Sequence, residues 1–319
     1  MSRILYFCPD FPQPSGGIKT LYRHAQTLVG MGFDAWIVHQ KRPFQVTWHG
    51  YEAPTLWLSE RPRFTPQDVL VIPEVMPQVM QQTARFSGER LVIALSWSPT
   101  YWNLPAGQTW PSYGIHRVIT KSQLIEAYLR WSMGIEATLI SEYVTPDRYF
   151  YSAEVKRPKI SYLTRKERSA AWLHQVLVAR GEPFTSFDWM PLRELSEDEY
   201  ARHLRETAVY ITTNMQEGMN SSVLEAMACG CLVVGYSGVG GNVYMEPEGA
   251  TQNCILVENG NVPALGQRLE RVLRVLAADP EAYADVVRSG LETARRYQNP
   301  AAEADSLRAV FSPLVVSES

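Results

Sequence analysis

The sequence has no long apolar run and no excess of either charge. Its 319 residues contain no uninterrupted apolar stretch near the roughly 20 residues that a membrane-spanning helix needs. The first seven residues carry one basic residue and an apolar run too short for a signal peptide. With 30 basic and 33 acidic residues, the formal net charge of −3 gives no sign of a nucleic-acid-binding surface. We therefore expect a cytoplasmic protein with no transmembrane segment and no nucleic-acid partner, and contact with a membrane surface stays open.

Cysteine is scarce, and its spacing fits neither a disulfide framework nor a zinc site. Cys229 and Cys231 are one residue apart, which is not the spacing of a zinc half-site, and no second half follows. Cys8 and Cys254 stand alone. All four lie in apolar, strand-like or helical sequence, so we expect buried, reduced thiols.

The familiar glycine-rich phosphate motifs are also missing. Ser15-Gly16-Gly17 does not extend to the G-x-G-x-x-G pattern of dinucleotide-binding proteins. The segment Gly17-Ile18-Lys19-Thr20 is not a P-loop, because Ile18 separates the glycine from the lysine. A nicotinamide-dependent oxidoreductase is therefore disfavoured.

What is present is a regular alternation of short apolar runs and segments with helical periodicity. An apolar run at 3–8 is followed by a proline-rich loop, by Gly16-Gly17, by helical spacing over 18–31 and by a second strand at 35–39. This is one βαβ unit, which implies a parallel sheet. The alternation continues to residue 140 and restarts after a polar stretch at 152–158.

Length and alternation together predict an α/β protein with two doubly wound domains, because 319 residues exceed what one core usually organises. We place the first domain at 1–152 and the second at 153–319, with the last helix packing back on the first domain. In the second domain we predict strands at 159–163, 184–188, 208–213, 231–236 and 254–257, and helices at 169–180, 196–206, 221–229, 262–278, 280–297 and 300–311.

The loop after the strand at 208–213 is the richest in groups that bind ligands. Ligands of open parallel sheets bind outside the carboxyl ends of the strands. Here Glu217 lies in the loop, Glu225 lies on the next helix, and the helix begins near Ser221, where backbone N–H groups suit a phosphate. The two carboxylates suit sugar and ribose hydroxyls. The alternative is structural: Ser222 and Glu225 have the spacing of a capping box, in which Glu225 only satisfies the helix terminus.

Residues 217–234 resemble the signature of the retaining GT-B glycosyltransferases of group 1: Glu, seven residues, Glu, then Ala-Met-Ala-Cys-Gly and a hydrophobic strand. The resemblance implies that Glu217 contacts the donor sugar and is the catalytic glutamate. It implies that Glu225 contacts the nucleotide ribose. The diphosphate would lie against the segment Gly218, Met219, Asn220, Ser221 and Ser222. The family more often has Phe-Gly-Leu-Pro where this chain has Met219–Ser222. The chain therefore departs from the family in the segment that shapes the sugar pocket.

Two further matches follow from the same resemblance. Arg165 and Lys166 end the first strand of the second domain, where the family holds the diphosphate with an Arg and a Lys; Arg168 competes with Lys166. Fixed cations there would stabilise the charge of the leaving group. Gly16 and Gly17 match the family's cleft-facing loop, and their alternative is a tight turn into a helix.

Two acceptor-side candidates lie in the first domain. Many relatives place a catalytic His after the fourth strand, where this chain has Ile72-Pro73-Glu74. Glu74 is therefore either an acceptor contact or an exposed loop glutamate. Trp97 opens an aromatic, proline-rich loop at 97–113, whose rings either stack on sugars or anchor the loop in the core.

The resemblance predicts a GT-B fold, two Rossmann-like domains facing a cleft, and transfer of a sugar from a nucleotide-diphosphate sugar to an acceptor hydroxyl with retention. The acceptor would be a glycan, a lipid-linked molecule or a small molecule, as in carbohydrate or cell-envelope glycan biosynthesis. No Asp-x-Asp occurs, so a metal-bridged diphosphate is not indicated and no cofactor is expected. The alternative is a catalytically silent member that binds nucleotide sugar or acts as a scaffold.

Overall fold

The computed structural model describes residues 2–164 and 167–315. Its strands are β1 (Ile4–Phe7), β2 (Ala35–His39), β3 (Thr55–Trp57), β4 (Val69–Pro73), β5 (Glu89–Ala94), β6 (Arg117–Thr120), β7 (Ala137–Leu139), β8 (Arg157–Leu163), β9 (Asp188–Leu192), β10 (Thr207–Thr212), β11 (Leu232–Gly235) and β12 (Ile255–Leu256). Its α-helices are α1 (Gly16–Gly30), α2 (Pro77–Gln82), α3 (Gln123–Met133), α4 (Ser169–Val178), α5 (Glu197–Glu206), α6 (Ser221–Ala228), α7 (Val262–Ala278), α8 (Ala284–Arg296) and α9 (Pro300–Phe311). Among the described residues, no helix combines the length and apolar character needed to cross a membrane.

The chain divides into two compact units. The first unit runs to Glu142 and resumes at Pro300, and the second runs from Tyr143 to Asn299. The sequence places the division ten residues later, at 152/153. In the structure the segment that follows Glu142 belongs to the second unit, because Val144 and the fully buried Tyr149 pack in that unit's core.

The first unit is built on a seven-stranded parallel sheet. Its strand order is β3-β2-β1-β4-β5-β6-β7, so the order reverses between β1 and β4. Every residue of β1 and β4 is buried, as expected for strands covered by helices on both faces. Helix α1 lies on one face and buries Ile18, Leu21 and Leu28, positions that share one helical stripe.

The second unit is built on a five-stranded parallel sheet in the order β12-β11-β10-β8-β9. The order reverses between β8 and β10, which pair directly. Two packed cores cover its faces, one including Leu224 and Met227 of α6 and the other including Leu265 and Leu269 of α7. Both units are thus doubly wound, as predicted, and in each the reversal point marks the edge where ligands bind.

The strand predicted at 184–188 is wrong. Phe184–Ser186 form a short 3₁₀ turn whose Phe184 side chain is fully buried, and the strand is β9, at Asp188–Leu192. The indole Nε1 of Trp189 donates to the carbonyl of Phe184 at 2.9 Å and holds the turn against the strand. Strand β9 lies at the edge of the sheet, where Pro191 is tolerated although it has no N–H to donate.

The prediction for the cysteines is confirmed. Cys8, Cys229, Cys231 and Cys254 are all buried and free. Burial raises the pKa of each thiol, to about 12 for Cys254, so they remain protonated at neutral pH.

Candidate functional site

The loops at the carboxyl ends of β8 and β10 carry the predicted donor-side residues. Because β8 and β10 are neighbours at the point where the strand order reverses, their loops emerge side by side at one edge of the second sheet. The β10 loop leads into α6 and contains Glu217. The β8 loop contains Arg165 and Lys166, which lie outside the described residues. Their competitor Arg168 is exposed and immediately precedes α4.

Asn220 fixes the start of α6. Its backbone is left-handed, with φ 54° and ψ 53°, a conformation that Asn tolerates better than most residues. Its side-chain amide donates to Thr212 Oγ1 at 3.3 Å, and its Oδ1 accepts from the hydroxyl of Ser222 at 3.0 Å. Its carbonyl accepts from the hydroxyl of Tyr244 at 2.8 Å. These contacts hold the amino terminus of α6, with its partial positive charge, against the end of β10.

The capping-box alternative for Glu225 does not hold. Asn220 is the N-cap residue of α6 and makes no side-chain cap, so Ser222 is already the second residue of the helix. The Ser222 hydroxyl donates to Asn220 instead of capping the first turn. A capping box requires the Ser at the N-cap position, two residues before where Ser222 lies.

Glu225 is buried on α6, with 7 % of its surface exposed. Burial raises the pKa of Tyr200 and Tyr210, and the nearby charge of Glu225 raises both further. The carboxylate therefore lies near two phenols in the low-dielectric part of the second unit. Hydrogen bonds formed to a carboxylate in such surroundings are stronger than those at an open surface.

Glu217 is half-buried, and the loop around it is held by a neighbouring loop. Residues 236–243, which follow β11, pack directly on the backbone of the β10 loop. A Cβ atom at Gly240 would lie 2.5 Å from the carbonyl oxygen of Glu217, and one at Gly238 would lie 2.5 Å from that of Asn214. Gly238 also has φ 57°, and its N–H donates to Asn259 Oδ1 at 3.1 Å. The backbone next to Glu217 is thus set by a contact that only glycine permits. Gly218 and Met219 are buried behind it.

The cleft-loop glycines and the acceptor-side candidates lie at the carboxyl edge of the first sheet. Gly16 and Gly17 are the first two residues of α1, after β1, and Glu74 directly follows β4. A Cβ atom at Gly17 would lie 3.5 Å from Leu95 Cδ1, and nothing lies within 4 Å of one at Gly16. Neither glycine has a positive φ. The structure therefore places them in a helix start, without requiring glycine there on conformational grounds.

Glu74 is a buried carboxylate, so the alternative that it is an exposed loop residue is wrong. Only 4 % of its surface is exposed. Its Oε1 accepts the backbone N–H groups of Leu95 and Ser96, each at 3.0 Å. Burial raises its pKa to about 7, although these two donors and the charge of Lys121 act in the opposite direction. Trp97 is the residue after Ser96. Glu74 and Trp97 therefore lie at the carboxyl ends of the adjacent strands β4 and β5.

Comparison with known proteins agrees with this geometry. Residues 171–275, most of the second unit, match the sequence model of the family described as Glycosyl transferases group 1. An α-1,6-glucosyltransferase of Actinobacillus pleuropneumoniae serotype 7 (strain AP76) is 26 % identical over 242 residues, which cover 73 % of this chain and 72 % of the relative. The chain is thus similar to the group 1 glycosyltransferases, and the family model matches within its second unit.

Solved structures confirm the GT-B fold. Sucrose-phosphate synthase of Thermosynechococcus elongatus superposes with a TM-score of 0.73 at 15 % identity, over 98 % of this chain and 99 % of that one. HepE of Anabaena, solved with UDP-glucose, gives 0.72 at 13 % identity, over 97 % and 99 %. The two-domain Rossmann-like architecture expected from the sequence is therefore confirmed.

Several residues that shape the β10 loop are not predicted from the sequence. Gly238, Gly240 and Tyr244 belong to the segment after β11, for which the sequence motifs predict no site residue. The run Ser-Gly-Val-Gly-Gly at 237–241 is a signal that could have found them, because glycines after a buried strand indicate a close backbone approach.

Within 2–164 and 167–315, no group of three or more His, Cys, Asp or Glu is placed to hold a metal ion.

Proposed function

We propose that this chain transfers a hexosyl group from a nucleoside diphosphate sugar to an acceptor hydroxyl, with retention at the anomeric carbon and without a metal ion. A UDP-hexose is the donor we favour, because a relative is named as a glucosyltransferase and a structure of the same fold was solved with UDP-glucose. The acceptor is a glycan, a lipid-linked molecule or a small molecule. We propose retention because residues 217–234 resemble the signature of retaining GT-B glycosyltransferases.

The reaction breaks the bond between the anomeric carbon and the diphosphate oxygen. The acceptor hydroxyl oxygen forms the new bond to that carbon, and its proton leaves with the nucleoside diphosphate. Negative charge grows on the diphosphate as the bond breaks. The amino terminus of α6 and the cation of Arg165 are the groups we assign to that charge, since donors fixed in advance stabilise a transition state without reorganising.

One observation carries this proposal: the β10 loop and the start of α6 are rigidly held. Asn220 is bonded to Thr212, Ser222 and Tyr244, and Gly240 leaves room only for the backbone beside Glu217. Glu217 and Glu225 are thereby presented from a fixed loop and a fixed helix. We assign Glu217 to the donor sugar and Glu225 to the ribose hydroxyls.

The two glutamates are tested separately. Glu217→Ala is expected to lower donor turnover at least about 100-fold, since roughly 1 Å of misplacement at the reacting carbon costs that much, and to keep UDP affinity close to that of the wild type. Glu225→Gln is expected to weaken UDP itself, because the ribose remains in the sugar-free nucleotide. The measurements are UDP release with UDP-hexose and an acceptor panel, and UDP binding by calorimetry.

Glu248→Ala is the matched control, an exposed glutamate in a loop of the same unit. This substitution should change neither UDP release nor UDP affinity. Full turnover in Glu217→Ala would remove that residue from the site, and unchanged UDP affinity in Glu225→Gln would remove the ribose contact.

The second candidate is a GT-B protein that binds nucleotide sugar without transferring it. The Met219–Ser222 segment, which differs from the family pattern, and the absence of a histidine after β4 favour it. Wild-type protein that binds UDP-hexose, yet releases no UDP across the acceptor panel, would establish this reading over the enzymatic one.

A further inference from the structure

The loop at 97–113 has two kinds of aromatic residue. Trp110 is fully buried and, with the partly buried Tyr113, packs against the core of the first unit, so these residues anchor the loop. Tyr101 and Trp102 do not: they are 36 % and 66 % exposed. Trp97, at the other end of the loop, is partly buried and packs against the same core. Anchoring in the core therefore explains both ends of the loop but not Tyr101 and Trp102 between them.

Trp97 and the exposed part of the loop contact helix α3, whose aromatic rings continue the row. Trp97 lies against Tyr128 with ring centroids 6.0 Å apart, and Tyr128 lies 5.9 Å from Trp131. The hydroxyl of Tyr101 donates to the carbonyl of Ser132 at 2.8 Å, which joins the loop to the end of α3. Trp131 is 82 % exposed. Single exposed apolar residues need no explanation, whereas a contiguous aromatic surface marks a binding site.

The row begins beside the acceptor-side carboxylate. The same Glu74 oxygen that accepts from Leu95 also accepts from the N–H of Ser96, the residue before Trp97. The rings therefore lead from the carboxyl edge of the first sheet, at Glu74, outward to Trp131 on the surface. A ligand with one end at Glu74 and a long body would follow this row.

We infer that Trp97, Tyr128, Trp131, Tyr101 and Trp102 form a track for a linear hexose chain, so that the acceptor is an oligosaccharide or polysaccharide. This rests on the proposed function and names its acceptor class. The apolar C–H faces of pyranose rings stack on aromatic faces.

The charges around the track favour a glycan over a bilayer. Anionic membranes attract clusters of lysine and arginine whose charge is not compensated. Next to the track, Arg130 pairs with Glu126, and Lys121 pairs with Glu142 at 3.1 Å. The rings are interspersed with the hydroxyl of Ser98 and the amide of Asn103, groups that suit sugar hydroxyls.

The test is oligosaccharide binding to the full-length protein, with maltoheptaose, isomaltoheptaose and cellohexaose as probes, measured by calorimetry. At least one probe should bind the wild type, and Trp131→Ala and Trp102→Ala should each weaken it about tenfold, the scale of one aromatic contact. Trp172→Ala is the matched control, a tryptophan 54 % exposed on α4 of the second unit, and it should bind like the wild type. Unchanged melting temperatures establish that the variants fold.

Equal binding by all variants, or no binding of any probe to the wild type, would overturn the track. Sedimentation with phosphatidylcholine–phosphatidylglycerol vesicles that depends on Trp131, without oligosaccharide binding, would assign the surface to a membrane and also overturn it. UDP binding and Glu217-dependent UDP release are measured on the same proteins. If they persist while the track fails, only the acceptor class is wrong and the proposed function stands.

Discussion

At the scale of single residues, Glu74 is a carboxylate whose charged form is disfavoured by burial. Its Oε1 accepts the N–H groups of Leu95 and Ser96, and the side chain is almost fully buried. Burial therefore outweighs the favourable donors and raises its pKa from 4.5 to about 7. The folded protein holds a proton on Glu74 in a pH range where the unfolded chain has lost it.

This gives a pH-dependent stability with a definite sign. Between about pH 4.5 and 7 the folded state binds more protons at Glu74 than the unfolded state does, so this group lowers the free energy of unfolding as the pH rises. Glu74→Gln keeps a neutral acceptor in place and removes that decline. We expect the variant and the wild type to be similar near pH 4, and the variant to be more stable at pH 8 by up to about 3 kcal/mol.

Urea denaturation of both proteins across this pH range measures the difference. Glu136→Gln, an exposed carboxylate of the same unit, is the control and should follow the wild type. Parallel profiles for Glu74→Gln and the wild type would mean that Glu74 is ionised at neutral pH in the folded protein.

At the scale of elements, the donor site depends on two loops that interlock through glycine. Gly240 does not have a positive φ, so its backbone conformation does not require glycine. Glycine is required there because a Cβ atom would not fit against the neighbouring backbone. In Gly240→Ala the new Cβ would meet the backbone of residues 217–219. We expect the free energy of unfolding to fall by about 1–3 kcal/mol, as is typical of overpacking. We expect the free energy of UDP-hexose binding to weaken by more than that.

The matched control is Gly30→Ala at the end of α1, where nothing lies within 4 Å of the added Cβ. It should be neutral or slightly stabilising, because alanine favours helix. Wild-type UDP-hexose affinity in Gly240→Ala would mean that the loop after β11 does not set the geometry of Glu217.

The same elements explain what the sequence predicts well and what it misses. Helix α7 is predicted at its observed bounds, since seventeen residues carry several repeats of the helical period. Strand β3 at Thr55–Trp57 was not predicted, because three half-buried residues carry too little periodicity. The strand predicted at 184–188 is misplaced because the buried Phe184 anchors a turn. An apolar residue in the sequence indicates burial but does not indicate whether the backbone is a strand or a turn.

The residues of the donor site also fall into those that the sequence predicts and those that it does not. Glu217 and Glu225 are recognisable because their spacing along the chain is itself the signal. The contact of Gly240 with the loop at 217–219, and the hydrogen bond from Tyr244 to Asn220, join segments more than twenty residues apart. Such contacts exist only once the sheet has placed β10 beside β11, so they cannot be read from local sequence.

At the scale of the whole molecule, the chain crosses into the second unit once and returns to the first. The returning helix α9 is held there by buried charges. Glu303 is fully buried and accepts from Arg23 of α1, with Nη2 at 2.6 Å and Nε at 2.9 Å, and Glu142 also pairs with this arginine. Leu307 and Phe311 add apolar contacts in the same core. Helix α9 is therefore part of the first unit's interior.

Glu303→Gln should accordingly destabilise the first unit. Removing one partner of a buried ion pair leaves the other charge without full compensation, which typically costs about 3–5 kcal/mol. Asp305→Asn is the matched control: Asp305 lies on the same helix, is 72 % exposed and pairs with Arg308, and exposed pairs contribute little. Hydrogen exchange on the full chain localises the effect. We expect faster exchange in α9 and α1 of Glu303→Gln and wild-type exchange in β8 and β10. An equal and small effect of both substitutions would mean that apolar contacts alone hold the returning helix.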